Sequence, residues 1–106
     1  MNLISFPRDG SMPKPLHNAQ YMKLLELLRA AREEAGITQR QLAEALGEDQ
    51  SYVSKCELGV RRLDIIELRD WTGAMGLSFR TFTKRLDLAL EQASAIEQRL
   101  RHGGQK

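Results

Sequence analysis

Between positions 50 and 56 the chain sets five hydrogen-bonding side chains, Gln50, Ser51, Tyr52, Ser54 and Lys55, around two small apolar ones, Val53 and Cys56. None of the five is acidic. A glutamine amide offers a donor and an acceptor side by side, which matches the major-groove edge of adenine. A lysine ammonium matches the acceptors of guanine, and hydroxyls serve either purine. Thr38, Gln39 and Arg40 lie upstream, while Arg61 and Arg62 follow downstream. Cations, amides and the free N–H groups of a helix start are the groups that hold phosphate oxygens. Such a surface could read bases and grip a backbone on either side. A polar helix face is also what ordinary solvated surface looks like, so the residues that would aim this one decide the matter.

The positioning residues fall in register. Thr38 and Gln41 have the spacing of a capping box, and Ile37 with Leu42 that of a hydrophobic staple, so a helix starts at Thr38. Ala43 puts a small side chain where a second helix must approach. Gly47 supplies a residue tolerant of positive φ for the turn. Asp49 stands at the N-cap of a following helix, about 50–58, which Gly59 ends. Val53 and Cys56, three apart, form that helix's buried stripe against Leu42 and Leu46. Two short helices around a tight turn are the pattern of a helix-turn-helix.

Helical signals continue on both sides. Tyr21, Leu24, Leu25, Leu28, Ala31 and Ala35 recur at helical spacing over about 19–35, closed by Gly36. Asp64 and Glu67 repeat the capping box, with Leu63 and Leu68 as staple, predicting a helix to about Met75. Ser78 can cap a fifth helix that nothing breaks before Gly103. No segment alternates like a strand, so the class is all-α. Residues 1–16 carry Pro7, Pro13 and Pro15 and read as a flexible arm from which Arg8 and Lys14 could reach a phosphate backbone. The domain proper spans 17–86, and 87–106 form a C-terminal helix and short tail.

Composition bounds the rest. With 106 residues there is room for one core, and a formal net charge of +2 is barely basic, so any affinity for nucleic acid must come from where the charges sit. No run approaches a membrane span, and the prolines interrupt any secretory leader. A lone cysteine, Cys56, excludes an internal disulfide and fits a reducing cytoplasm. His17, Cys56 and His102 match no zinc spacing, and no nucleophile motif or phosphate loop occurs. No metal, cofactor or catalytic residue is expected, and enzyme activity is not. Trp71 reads as a core aromatic.

The stretches ITQRQLAEALG, DQSYVSKCELG and VRRLDIIEL together resemble the lambda-repressor and Cro, or Xre-type, helix-turn-helix family over about residues 17–86. The resemblance implies a compact five-helix domain that binds operator DNA as a homodimer and regulates transcription, most simply as a repressor on a two-fold site. By position it implies base contacts from Gln50, Ser51 and Lys55, with Ser54 on the same face. It implies backbone contacts from Thr38, Gln39 and Tyr52, with Arg40, Arg61 and Arg62 adding grip. Arg32 and Glu57 match a buried ion pair that joins the first helix to the third in some members. Two departures stand out: Leu58 occupies a place where a polar residue is common, and Glu48 with Asp49 puts acid beside the DNA where Ser or Thr is frequent.

Phe82, Leu86, Ala89, Ala93, Ile96 and Leu100 repeat at four, three, four, three, four. That is a heptad seam of about two and a half repeats. Pairing of two subunits through it is the favoured expectation; packing of the seam back over its own domain is the plainer one. An alternative function is a protein-interaction module, such as an antitoxin whose last helix binds a toxin. A third is a helix-turn-helix used for protein contact alone.

Overall fold

The computed structural model describes residues 16–103, with side chains described over 19–100. These residues form five α-helices and no strand: α1 Leu16–Glu34, α2 Gln39–Leu46, α3 Gln50–Glu57, α4 Ile65–Ala74 and α5 Phe79–Gly103. Arg8, Lys14 and the three prolines lie outside the described residues.

Local chemistry accounts for most of the boundaries. Thr38 Oγ1 accepts from the Gln41 N–H at 3.1 Å, and Gln41 Oε1 accepts from the Thr38 N–H at 2.9 Å, closing the capping box of α2. Asp64 and Glu67 make the same reciprocal pair at the start of α4. Ser78 Oγ accepts from the Thr81 N–H at 3.1 Å and caps α5. Gly47 ends α2 at φ 71°, a left-handed conformation that lets its N–H return to Ala43 and Glu44.

One boundary and one cap differ from the reading of the sequence. α1 begins at Leu16 rather than near Ala19, because its first turn carries polar residues that leave no trace in the apolar period. Asp49 sits at the N-cap of α3 with extended backbone, but its side chain makes no capping hydrogen bond. The first turn of α3 therefore lacks the side-chain acceptor expected for it.

Leu28, Leu42, Val53, Cys56, Trp71 and Phe82 pack one core in which each is at most 1% exposed. Every helix contributes. Trp71 of α4 is the largest of these side chains, and burial of an aromatic or Leu stabilises by roughly 1.5–3 kcal/mol. α5 runs back along α1: Arg85 pairs with Glu34 at 3.7 Å, and Leu90 lines a cleft with Gln20, Tyr21 and Leu24. Phe82 belongs to the core and Leu86 is half-buried, whereas residues 91–100 are all exposed, Ile96 and Leu100 among them. The first part of the heptad seam closes the domain; Ala93 still borders a cleft against α1, and Ile96 and Leu100 beyond it are exposed. No helix of the described residues is long and apolar enough to cross a membrane.

Candidate nucleic-acid interface

α3 presents the predicted reading face. Positions 50, 51, 54 and 55 share one side of an α-helix, and 53 and 56 the other. Val53 and Cys56 are fully buried, Gln50, Ser51 and Lys55 are exposed, and Ser54 is half-buried. Ala43, 2% exposed, supplies the close approach between α2 and α3. The Cys56 thiol is pushed up from its ordinary pKa by burial, so it is a packing group, not a nucleophile.

One end of α3 is tied to α1 and α2. Arg32 Nε donates to Glu57 Oε2 at 2.6 Å and Arg32 Nη2 to Oε1 at 3.2 Å, with the two side chains 9% and 3% exposed. Arg32 Nη1 donates to the Ile37 carbonyl at 2.9 Å. Gln39 Nε2 completes the set, donating to Glu57 Oε1 at 2.9 Å. Gln39, read from the sequence as a phosphate contact, thus also orients the last residue of α3. Its second amide hydrogen has no partner among the described residues.

The other side of α3 is held through Tyr52. Trp71 Nε1 donates to the Tyr52 hydroxyl at 3.3 Å, and the rings meet edge to face with centroids 6.1 Å apart. Burial raises the Tyr52 pKa. The Arg61 guanidinium lies over the Tyr52 ring, 5.0 Å from its centroid. Arg61 Nη1 and Nη2 donate to Glu67 Oε1 and Oε2 at 3.0 and 2.8 Å, and Nη1 also to the Arg62 carbonyl at 2.9 Å. This bidentate pair raises the Arg61 pKa and lowers that of Glu67. Arg62 covers the Tyr21 ring at 4.2 Å, and the Tyr21 hydroxyl accepts from the Leu63 N–H at 3.0 Å.

Thr38 and Arg40 at the start of α2 are exposed, as are Arg61 and Arg62 beyond α3. Thr38 uses an acceptor for its cap and keeps its hydroxyl hydrogen. Glu48 and Asp49 stand exposed in front of α3, and Leu58 is exposed at its end. The sequence did not disclose the part of Glu67, which reads only as a capping residue, or the tie between Tyr52 and Trp71. Each joins groups that come together only when α4 packs beside α3.

The helix-turn-helix family model (HTH_3) matches residues 28–82, which include all of α2, α3 and α4. The chain belongs to the Xre-type helix-turn-helix family. Like its family, this Xre-type protein is a DNA-binding regulator of transcription. Among solved structures it is similar to an XRE-family like protein from Pseudomonas syringae pv. tomato str. DC3000. The two are 46% identical with a TM-score of 0.67, over 70% of this chain and 90% of that one. It is also similar to the restriction-modification controller protein C.Esp1396I. The wild type is 26% identical with a TM-score of 0.63, over 69% of this chain and 95% of that one. A point mutant of that controller gives a TM-score of 0.64 at 26% identity, over 68% of this chain and 96% of the mutant. No curated protein matches the sequence. The Xre-type match stops short of the exposed end of α5.

Proposed function

We propose that the protein is a sequence-specific transcriptional regulator, most simply a repressor, that binds a two-fold DNA site in the cytoplasm as a homodimer. One observation carries this reading: Gln50, Ser51 and Lys55 are exposed together on a helix whose opposite side is fully buried and whose end is anchored at Glu57. Gln50, Ser51 and Lys55 read base edges in the major groove, with Ser54 beside them. Thr38, Gln39 and Arg40 hold the backbone at the start of α2; Tyr52 and Arg62 do so on the far side. Arg61 belongs with them by its place in the sequence, but its guanidinium is engaged by Glu67. Half-sites then lie about 34–36 Å apart, one helical turn. A structural neighbour named as a restriction-modification controller fits a regulatory role.

Subunits pair through the outer part of α5, where Ile96 and Leu100 are exposed in heptad register. Sedimentation of a chain truncated after Leu86 tests this pairing, and a dimer that persists sinks it. Selection of bound sequences from random DNA tests the function. The expected product is a two-fold site with one-turn spacing; a pool without enriched sequence refutes sequence-specific reading.

A further inference from the structure

We infer that Arg61 and Glu67 act as a latch that positions Tyr52, and with it the reading face of α3, rather than as a phosphate clamp and a helix cap. The inference rests on the proposed reading of DNA by α3. Its support is geometric. Arg61 commits Nη1 and Nη2 to both oxygens of Glu67 and to the Arg62 carbonyl. Three of its five N–H groups are thus taken, and a phosphate would compete with a carboxylate already held in the fork geometry that an arginine prefers. The guanidinium meanwhile lies over one face of Tyr52 while Trp71 meets the same ring edge-on and bonds its hydroxyl. Tyr52 is thereby gripped from two elements, the α3–α4 loop and α4. It sits between Ser51 and Val53, so its rotamer fixes how α3 turns toward the groove.

Glu67 is anchored in turn. Its Oε1 accepts from the Asp64 N–H at 2.9 Å, which locks the carboxylate to the first turn of α4. The chain of contacts runs from the α4 N-terminus through Glu67 and Arg61 to Tyr52, and returns through Trp71 to α4. Arg62, whose guanidinium lies over Tyr21 and which has no carboxylate partner among the described residues, is left as the backbone-gripping cation of this loop.

The two roles predict opposite signs for one substitution. Glu67→Gln keeps an oxygen for the Asp64 N–H, because glutamine also closes a capping box, but loses the charged bidentate hold on Arg61. If Arg61 is a latch, Glu67→Gln weakens binding to the selected site by about tenfold, as Arg61→Ala does. The double variant is then no worse than either single one. Binding to random DNA is not weakened by Glu67→Gln, and the slope of log affinity against log salt stays unchanged. Arg62→Ala serves as the contrast: it weakens both DNAs and lowers the slope by about one per subunit. If instead Arg61 grips a phosphate, Glu67→Gln frees it and tightens binding, and Arg61→Ala lowers the slope as Arg62→Ala does. Either result overturns the latch.

A measurement without DNA separates this inference from the function it rests on. Trp71 is the chain's single tryptophan, so its indole N–H gives one resonance in an NMR spectrum. With the latch, Arg61→Ala and Glu67→Gln shift that resonance in the folded protein, and Arg61→Lys, which lacks the fork, does not restore it. An unmoved resonance in both variants refutes the latch even if DNA binding is confirmed. Wild-type protein that binds no DNA refutes the function while the resonance still judges the latch.

Discussion

Arg32 of α1 and Glu57 of α3 join by two hydrogen bonds, at 2.6 and 3.2 Å, across 25 residues of sequence. Both side chains are nearly excluded from water, so each would be an uncompensated charge without the other. Arg32→Ala is expected to destabilise the domain by about 3–5 kcal/mol, because it strands Glu57 with only the Gln39 amide as partner. Replacing both by apolar residues of similar size is expected to cost much less in stability yet still impair DNA binding, since the pair orients α3. Thermal unfolding and DNA affinity of the three proteins check this.

The turn of the helix-turn-helix yields a second expectation. A methyl added at Gly47 meets nothing within 4 Å, so Gly47→Ala costs only the strain of its backbone at φ 71°, about 1–2 kcal/mol. At Gly59, φ is 82° and the new Cβ would lie 3.2 Å from Cδ1 of the buried Leu25, which must shift to admit it. Gly59→Ala should therefore be the more destabilising of the two in a denaturant titration. An equal loss would mean that strain alone governs both sites.

Reading and grip should separate by substitution. Gln50→Ala is expected to relax the preference at one base pair by about 1–3 kcal/mol, leaving affinity for random DNA intact. Arg62→Ala should weaken all sequences alike. Competition binding with single-base variants of the selected site distinguishes the two, and parallel losses from both variants would contradict the assignment.

Acid should release part of the α3–α4 loop. Hydrogen bonds from Arg61, and secondarily from the Asp64 backbone, hold the Glu67 carboxyl below its ordinary pKa of 4.5. A group depressed on folding stabilises the folded state above its unfolded pKa, and that contribution fades as pH falls through the lower folded value. Wild-type protein should therefore lose stability relative to Glu67→Gln as pH drops below about 4.5, while the gap between them stays constant toward neutrality. Urea unfolding at a series of pH values gives the comparison.

How much of this was legible in the sequence depended on distance along the chain. The capping boxes at Thr38 and Asp64 were readable because donor and acceptor lie three residues apart, within the same turn. Gly47 was readable because a left-handed turn leaves few choices of residue. Asp49 has the right type in the right place, yet its carboxylate makes no cap, since residue type states what a side chain can do and not where it turns. The resemblance implied the pairing of Arg32 with Glu57. Nothing local implied the third partner, Gln39, or the sharing of Tyr52 between Trp71 and Arg61. Those depend on how α3 sits against α2 and α4, which only packing sets. The heptad spacing allows pairing along the whole seam or packing back over the domain; in the structure Phe82 closes the core while Ile96 and Leu100 stay exposed.

The eight residues of α3 divide their duties by side of the helix: Val53 and Cys56 hold it in place, Glu57 anchors its end, and Gln50, Ser51 and Lys55 face outward. The outward letters lie on the side of the helix opposite Val53 and Cys56. On the proposed reading, the address this protein recognises can therefore be rewritten without rebuilding the instrument that reads it. A library randomised at those three positions should yield mostly folded domains with new preferences, whereas any drift at Val53, Cys56 or Glu57 would blur every address at once.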